Sequence, residues 1–184
     1  IIELLDKTIN RDDCIVCLVN DGQEEVKQEF GKIKFPKNFI FINLSEGKCF
    51  AGANNAGWDY LNKNFLNIEY LGTINDDTIP KSHWLDYLIE ALESYPQTAL
   101  AMPIMETNEG FLKTRRDYVD WKLKNPSDMK PVRHKISSDI FSSAVNGFCF
   151  LAKKECLTDV NYFDERFKNG CEDLDLGIKL ISKG

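Results

Sequence analysis

No run of apolar residues in this 184-residue chain approaches the roughly 20 needed to cross a bilayer. The opening IIELLDKTINRDD has neither the basic start nor the small-residue cleavage site of a signal peptide. The chain therefore reads as soluble and cytoplasmic. No basic cluster appears either: 23 lysines and arginines stand against 29 acidic residues, for a net charge of -6. That balance argues against a nucleic-acid partner or a polybasic membrane surface. Gly-x-x-x-x-Gly-Lys-Ser/Thr is absent, and no Gly-x-Gly-x-x-Gly follows an expected strand, so two common phosphate cradles are excluded. Histidine is confined to His83 and His134. His83 reads as structural, before Trp84 in an expected helix, and His134 lies in an irregular stretch with no supporting motif. Without a Ser-His-Asp or Cys-His arrangement, no covalent nucleophile is proposed.

Six cysteines are too few for a disulfide scaffold at this length, and Cys14, Cys17, Cys49 and Cys149 lie in or beside apolar runs. Reduced, buried thiols are expected. Cys14 and Cys17 have metal-pair spacing, but CIVCLVN has the composition of a buried strand, in which residues three apart point to opposite faces. Zinc or thioredoxin-like chemistry needs a turn there instead.

What remains is a globular composition, 43% hydrophobic and 28% charged, without internal repeats, in a chain long enough for one sizeable core. IIELLDKTI reads as a helix end, CIVCLVN as a strand stopping at Asp21-Gly22, QEEVKQEFGKI as an amphipathic helix and NFIFINL as a second strand. CFAGANNAGWDYLNKNF is a helix opened by small residues. IEYLGTI is a third strand. Pro80 suits the first turn of the helix that HWLDYLIEALESY continues, and TALAMPIM is a fourth strand. The alternation predicts an α/β fold, a mainly parallel sheet with helices on both faces. After Met105 the period is lost, and residues 106–142 read as an excursion with a hairpin near Asn108-Glu109-Gly110. SSAVNGFCFLAKKECL restores a strand and EDLDLGIKLISKG a helix. A helix at residue 1 implies a preceding strand, and the terminal glycine reads as a helix stop. The expectation is a single domain over 1–184, a fragment without its first strand and C-terminal part.

In open parallel sheets ligands gather beyond the carboxyl ends of the strands. Asn20-Asp21, Gly52-Ala53-Asn54-Asn55 and Asn75-Asp76-Asp77 all fall at that edge. Two adjacent carboxylates repel one another, a cost that a bound cation offsets. Asp77 can hold magnesium or manganese, which keeps waters and takes phosphate oxygens as further ligands, so a diphosphate is the natural companion. The competing reading is that Asp77 caps a helix starting near Pro80. AGANNAG offers backbone access at Gly52 and amides that can read a nucleotide, or simply close helix packing. Glu172, Asp173 and Asp175 open the last helix, either as a general base that deprotonates an alcohol or as a charged first turn stabilised by the helix dipole.

Taken together, SEGKCFAGANNAGWDYL, YLGTINDDTIPKSHWLDYLIEALESYP, VNGFCFLAKKECL and FDERFKNGCEDLDLGIKLISKG resemble family 2 glycosyltransferases of the GT-A fold, in the usual order and spacing. GANNAG and NDDT place the resemblance nearest the rhamnosyltransferase-like branch. The resemblance implies a Rossmann-like, mainly parallel sheet and an inverting transfer of sugar from a nucleoside-diphosphate sugar to a saccharide or lipid-linked saccharide, in bacterial surface polysaccharide synthesis. It implies Mg2+ or Mn2+ on Asp77, the donor ribose or metal shell at Asp76, and Asn75 beside them. Asp173 is the implied base with Glu172 as substitute. Gly52, Asn54 and Asn55 match the donor-binding helix start, Asn20 and Asp21 the turn that reads the base, and Asn146 and Gly147 the strand beside the sugar. The family often has Asp where this chain has Asn20. Peripheral association with the inner face of the membrane, through segments outside this chain, is also implied. A nucleotidyltransferase of similar fold and a non-catalytic nucleotide-binding module are the other readings, and a phosphorelay receiver ranks last because its acidic pair should follow the first strand.

Overall fold

The computed structural model describes residues 1–9, 11–107, 110–112, 130–131, 145–168 and 170–183. His134 and most of the expected excursion lie outside the described residues, as does the terminal glycine.

Helix α1 (Ile2–Thr8) leads to strand β1 (Val16–Asn20), helix α2 (Glu24–Phe30) and strand β2 (Phe39–Asn43). β1 and β2 pair in parallel, Val16 opposite Phe39 and Asn20 opposite Asn43, as a strand-helix-strand crossover requires. α2 buries no residue completely. It is held by Phe30, whose ring stacks on Phe41 of β2 with centroids 4.7 Å apart and on Phe35 at 5.7 Å. Its acidic first turn, Glu24 and Glu25, suits the positive end of the helix.

Helix α3 (Cys49–Asn64) reaches two of the four small sheets among the described residues. Gly57 lies against β1, where an added Cβ would come within 3.1 Å of Val19 Cγ2. The next residue, Trp58, donates its indole N–H to the carbonyl of Gly72 at 2.8 Å, on strand β3 (Tyr70–Ile74). Short β4 (Thr78–Ile79) precedes helix α4 (Trp84–Ser94), and β5 (Leu100–Ala101), β6 (Met105–Thr107), β7 (Gly110–Leu112) and β8 (Lys130–Pro131) follow. β6 and β7 pair antiparallel with Thr107 opposite Gly110, the pairing that the expected hairpin requires. β9 (Cys149–Lys153) runs into helix α5 (Lys154–Asp159), and helix α6 (Glu172–Ser182) is last.

Three expectations need correction. The sheet is not one mainly parallel layer. β9 sits between β3 and β5 and runs antiparallel to both, in a three-stranded sheet distinct from the β1–β2 pair. A strand covered on both faces gives a continuous apolar run whatever its direction. In β9, Cys149 and Leu151 join one core cluster, while Phe150 and Ala152 join the other. Pro80 does not open α4: the helix starts at Trp84 behind His83, which takes a left-handed φ of 65°. The fourth strand is shorter than TALAMPIM, since Met102–Ile104 separates β5 from β6 and Pro103 has no N–H to donate to a ladder.

The first core cluster joins Leu5, Phe39, Trp84, Leu88 and Leu151, and the second joins Trp58, Leu71, Phe150, Phe163 and Leu176. All six cysteines are free, and burial pushes the Cys14 and Cys17 thiols up to about 11. Arg11 ties the N-terminal segment to α4 through Asp86 at 3.0 Å while also bonding Asp13, and its guanidinium holds both carboxyls below the usual range. No helix among the described residues is long and apolar enough to cross a membrane.

Candidate active site

The end of β1 is built around two polar residues. Asn20 is buried, and its amide donates to Gln23 O at 2.7 Å and to Asn43 Oδ1 at 2.5 Å, locking the ends of the paired strands together. Asp21 accepts the N–H of Lys48 at 2.6 Å and that of Cys49 at 3.0 Å. It thus caps α3 from a different element, where Lys48 supplies no side-chain cap of its own. Gly22 makes this approach possible. Its φ is +76°, and a Cβ there would fall 2.6 Å from the backbone of Glu46 and Gly47.

α3 then presents the small-residue segment. Gly52 lies where Glu165 approaches the helix, with Oε2 3.4 Å from the position a Cβ would take. Asn54 donates to Phe50 O at 2.8 Å and accepts the Thr73 hydroxyl at 2.5 Å, which ties α3 to β3. Asn55, 8% exposed, exchanges two hydrogen bonds with the backbone of Phe163: its Nδ2 donates to the carbonyl at 3.0 Å and its Oδ1 accepts the N–H at 3.1 Å. The same Nδ2 donates to Glu165 Oε1 at 3.1 Å.

β3 ends in the acidic turn. Thr78 N–H donates to Asn75 O at 3.1 Å, closing a turn that leaves Asp76 exposed and Asp77 half-buried. Because α4 starts well beyond it at Trp84, Asp77 does not cap that helix. Asn75 N–H donates to Phe148 O at 2.8 Å, so the turn continues the β3–β9 ladder. One residue before Phe148, the N–H of Gly147 donates to Asp173 Oδ2 at 3.0 Å. Asp173 Oδ1 accepts Leu174 N–H at 2.9 Å. A Cβ on Gly147 would come within 3.2 Å of the Phe50 ring and 3.3 Å of Asp173 Cβ, so the segment leading into β9, α3 and α6 meet closely enough there that a side chain would need its neighbours to shift.

These bonds bring Asn75-Asp76-Asp77, Asn146-Gly147 and Glu172-Asp173 to one end of the β3–β9 pair, with the first turn of α3 beside them. A solvated charged first turn would expose its carboxylates, yet Glu172 is 9% and Asp173 6% exposed. Among the described residues nothing hydrogen-bonds Glu172 Oε2. A buried carboxylate oxygen left so is costly unless water or a ligand hydroxyl reaches it. His83 is not drawn into this group; it is exposed, with Nδ1 3.1 Å from Asp86 Oδ2. Among the described residues no three side chains of the metal-ligating types cluster closely enough to form a cage by themselves.

A family model decides which proteins this arrangement belongs with: the model described as Glycosyl transferase family 2 matches residues 1–151. The chain belongs to glycosyl transferase family 2. A search of curated proteins gives no match. Sugar transfer from a nucleotide sugar to an acceptor is the activity of the family, and the small partly antiparallel sheets and flanking helices are consistent with its fold. The matched span contains the end of β1, the α3 segment, the acidic turn and Gly147. The Glu172-Asp173 pair of this glycosyl transferase lies beyond the matched residues and is joined to them by the Gly147–Asp173 bond.

One feature of the family 2 chain has no role in the sequence reading, although FDERF stands in a block that carries the resemblance. The turn Asn161–Phe167 folds over α3 with left-handed φ at Asn161 and Tyr162, both 59°. Arg166 pairs with Asp164 at 2.6 Å and holds its carboxyl down at about 2. Lys179 of α6 donates to Tyr162 O at 2.8 Å. A polar cleft of about 390 Å³ lies along this turn, lined by Asn55, Asn161, Phe163, Asp164, Glu165 and Lys179.

Proposed function

We propose that the chain is a GT-A domain over 1–184 that transfers a hexosyl or rhamnosyl unit with inversion, in a metal-dependent reaction. The Gly147–Asp173 bond carries this reading, because it sets a buried carboxylate at the strand end that also bears Asn75-Asp76-Asp77. Asp173 takes the proton of an acceptor hydroxyl while that oxygen forms its bond to the anomeric carbon and the bond to the nucleoside diphosphate breaks. Backbone N–H donors on both its oxygens orient it. Glu172, with an open acceptor oxygen, holds the same hydroxyl or takes over from Asp173.

The residues present fit a divalent ion. One or two carboxylates suffice for magnesium or manganese when phosphate oxygens and water complete the shell. Asp77 would hold that ion and Asp76 the donor ribose, with Asn75 setting the turn. When bound, the ion supplies charge stabilisation for the departing diphosphate. The resemblance of GANNAG and NDDT to the rhamnosyltransferase-like branch supports a saccharide or lipid-linked saccharide acceptor of bacterial surface polysaccharide synthesis, met at the cytoplasmic face of the membrane.

A thermal-shift titration with UDP, dTDP, GDP and CMP, each with and without manganese, tests the donor side. One nucleotide with metal, at 100 times its dissociation constant, adds about 2.7 kcal/mol of stability, and Asp77→Ala loses that increment. Equal stabilisation of the wild type and Asp77→Ala, or stabilisation that ignores the metal, contradicts the assignment of Asp77.

A further inference from the structure

We infer that Asn55 is a positioning residue: it fixes the placement of Asp173 by clamping the Asn161–Phe167 turn between α3 and α6. The inference rests on the reading of Asp173 as the base. Asn55 is spent on protein contacts, since both hydrogens of its amide nitrogen go to Phe163 O and Glu165 Oε1 and its oxygen takes Phe163 N–H. It pairs with Phe163 as one strand residue pairs with another, across 108 positions of sequence.

From Phe163 the connection runs to Asp173 by two routes. One is through rings. Phe163 lies on Trp58 with centroids 5.1 Å apart and on Phe50 at 5.5 Å. Phe50 in turn covers Gly147, whose N–H holds Asp173 Oδ2. The other is through α6. Lys179 grips Tyr162 O at 2.8 Å while pairing with Asp175 at 3.3 Å in the first turn of the helix that begins with Glu172 and Asp173. The turn is therefore fastened on the α3 side by Asn55 and on the α6 side by Lys179. If either fastening is lost, the start of α6 is free to shift relative to Gly147. A displacement of about 1 Å at a catalytic group can cost about 100-fold in rate.

The test compares Asn55→Ala, Lys179→Met and Glu165→Gln with the wild type by two readouts. The first is amide hydrogen exchange at Gly147 and Leu174, whose N–H groups both bond Asp173. Asn55→Ala and Lys179→Met speed exchange at these two amides by about tenfold, while exchange in β1 and β2 stays at the wild-type rate. Glu165→Gln, which retains an acceptor oxygen for Asn55, leaves both amides protected. The second is steady-state transfer. The first two variants lower kcat by about 10- to 100-fold with donor KM held within about twofold. Unchanged exchange at Gly147 and Leu174 in Asn55→Ala overturns the inference, as does a raised donor KM with kcat retained, which would put Asn55 on the donor. If Asn55→Ala proves too unstable to measure, Lys179→Met decides by the same two readouts. A wild-type chain that turns over no donor counts against the reading of Asp173 as base, and the exchange data alone then decide whether Asn55 positions it.

Discussion

Asp173→Asn abolishes sugar transfer, by about 10²- to 10⁴-fold, while affinity for the nucleoside diphosphate stays within about twofold of the wild type. The substitution keeps the shape of the side chain and removes its ability to accept a proton. In the wild type the carboxylate accepts Gly147 N–H and Leu174 N–H on separate oxygens. An asparagine amide can satisfy only one of these with its oxygen and must turn its NH2 toward the other donor, so a modest loss of stability accompanies the kinetic loss. The donor side is untouched because Asn75-Asp76-Asp77 belongs to the β3 turn, closed by its own Thr78–Asn75 bond. Transfer assayed alongside calorimetric titration of the nucleotide separates the two effects. Equal loss of binding and transfer would place Asp173 on the donor instead.

Trp58→Ala lowers stability by about 3–5 kcal/mol, the usual cost of removing a large aromatic side chain from a packed core. Trp58 is 2% exposed and touches three rings: Phe163 at 5.1 Å, Tyr162 at 5.5 Å and Phe150 at 6.0 Å. Its indole also closes the bond to Gly72 O, a carbonyl that points away from the β9 partner strand. In a domain of this size the change corresponds to a fall in Tm of roughly 10 °C. Trp58→Phe keeps most of the ring contact and loses the hydrogen bond, so its Tm falls between wild type and Trp58→Ala. Thermal unfolding followed by circular dichroism checks both. A Trp58→Ala protein melting within about 2 °C of the wild type would mean that α3 does not depend on this contact to hold the β1–β2 pair and the β3–β9–β5 sheet together.

The contrast between these two residues shows what sequence can carry. Trp58 was legible only as an apolar residue in an expected helix, and its partners Phe150 and Phe163 come from far along the chain. The strands and helices themselves were legible because period and punctuation are local: α2 stops at Phe30 before Gly31, and β3 runs into its acidic turn. Direction was not. CFLAK has the same apolar density whether it runs with or against its neighbours, so the reversal of β9 had no local mark. The start of α4 is not marked by Pro80, which is as suited to the turn after β4 as to the first turn of a helix. At the site, the residue types that meet were all visible: Asn75-Asp76-Asp77, Gly147 and Asp173. How they are held was not. The capping of α3 by Asp21 spans 28 positions to Cys49, and the hold of Asn55 on Phe163 spans 108. Such bonds depend on the fold, and a single sequence offers no periodicity from which to read them.

The most direct test of the account is the anomeric configuration of the sugar first transferred, or first released to water, from an accepted nucleotide-sugar donor, followed by proton NMR before mutarotation. Direct displacement with Asp173 as base predicts a product inverted relative to the donor, and its appearance lost in Asp173→Asn. A retained configuration would require a two-step reaction and would contradict the assignment of Asp173 as the base of a single displacement.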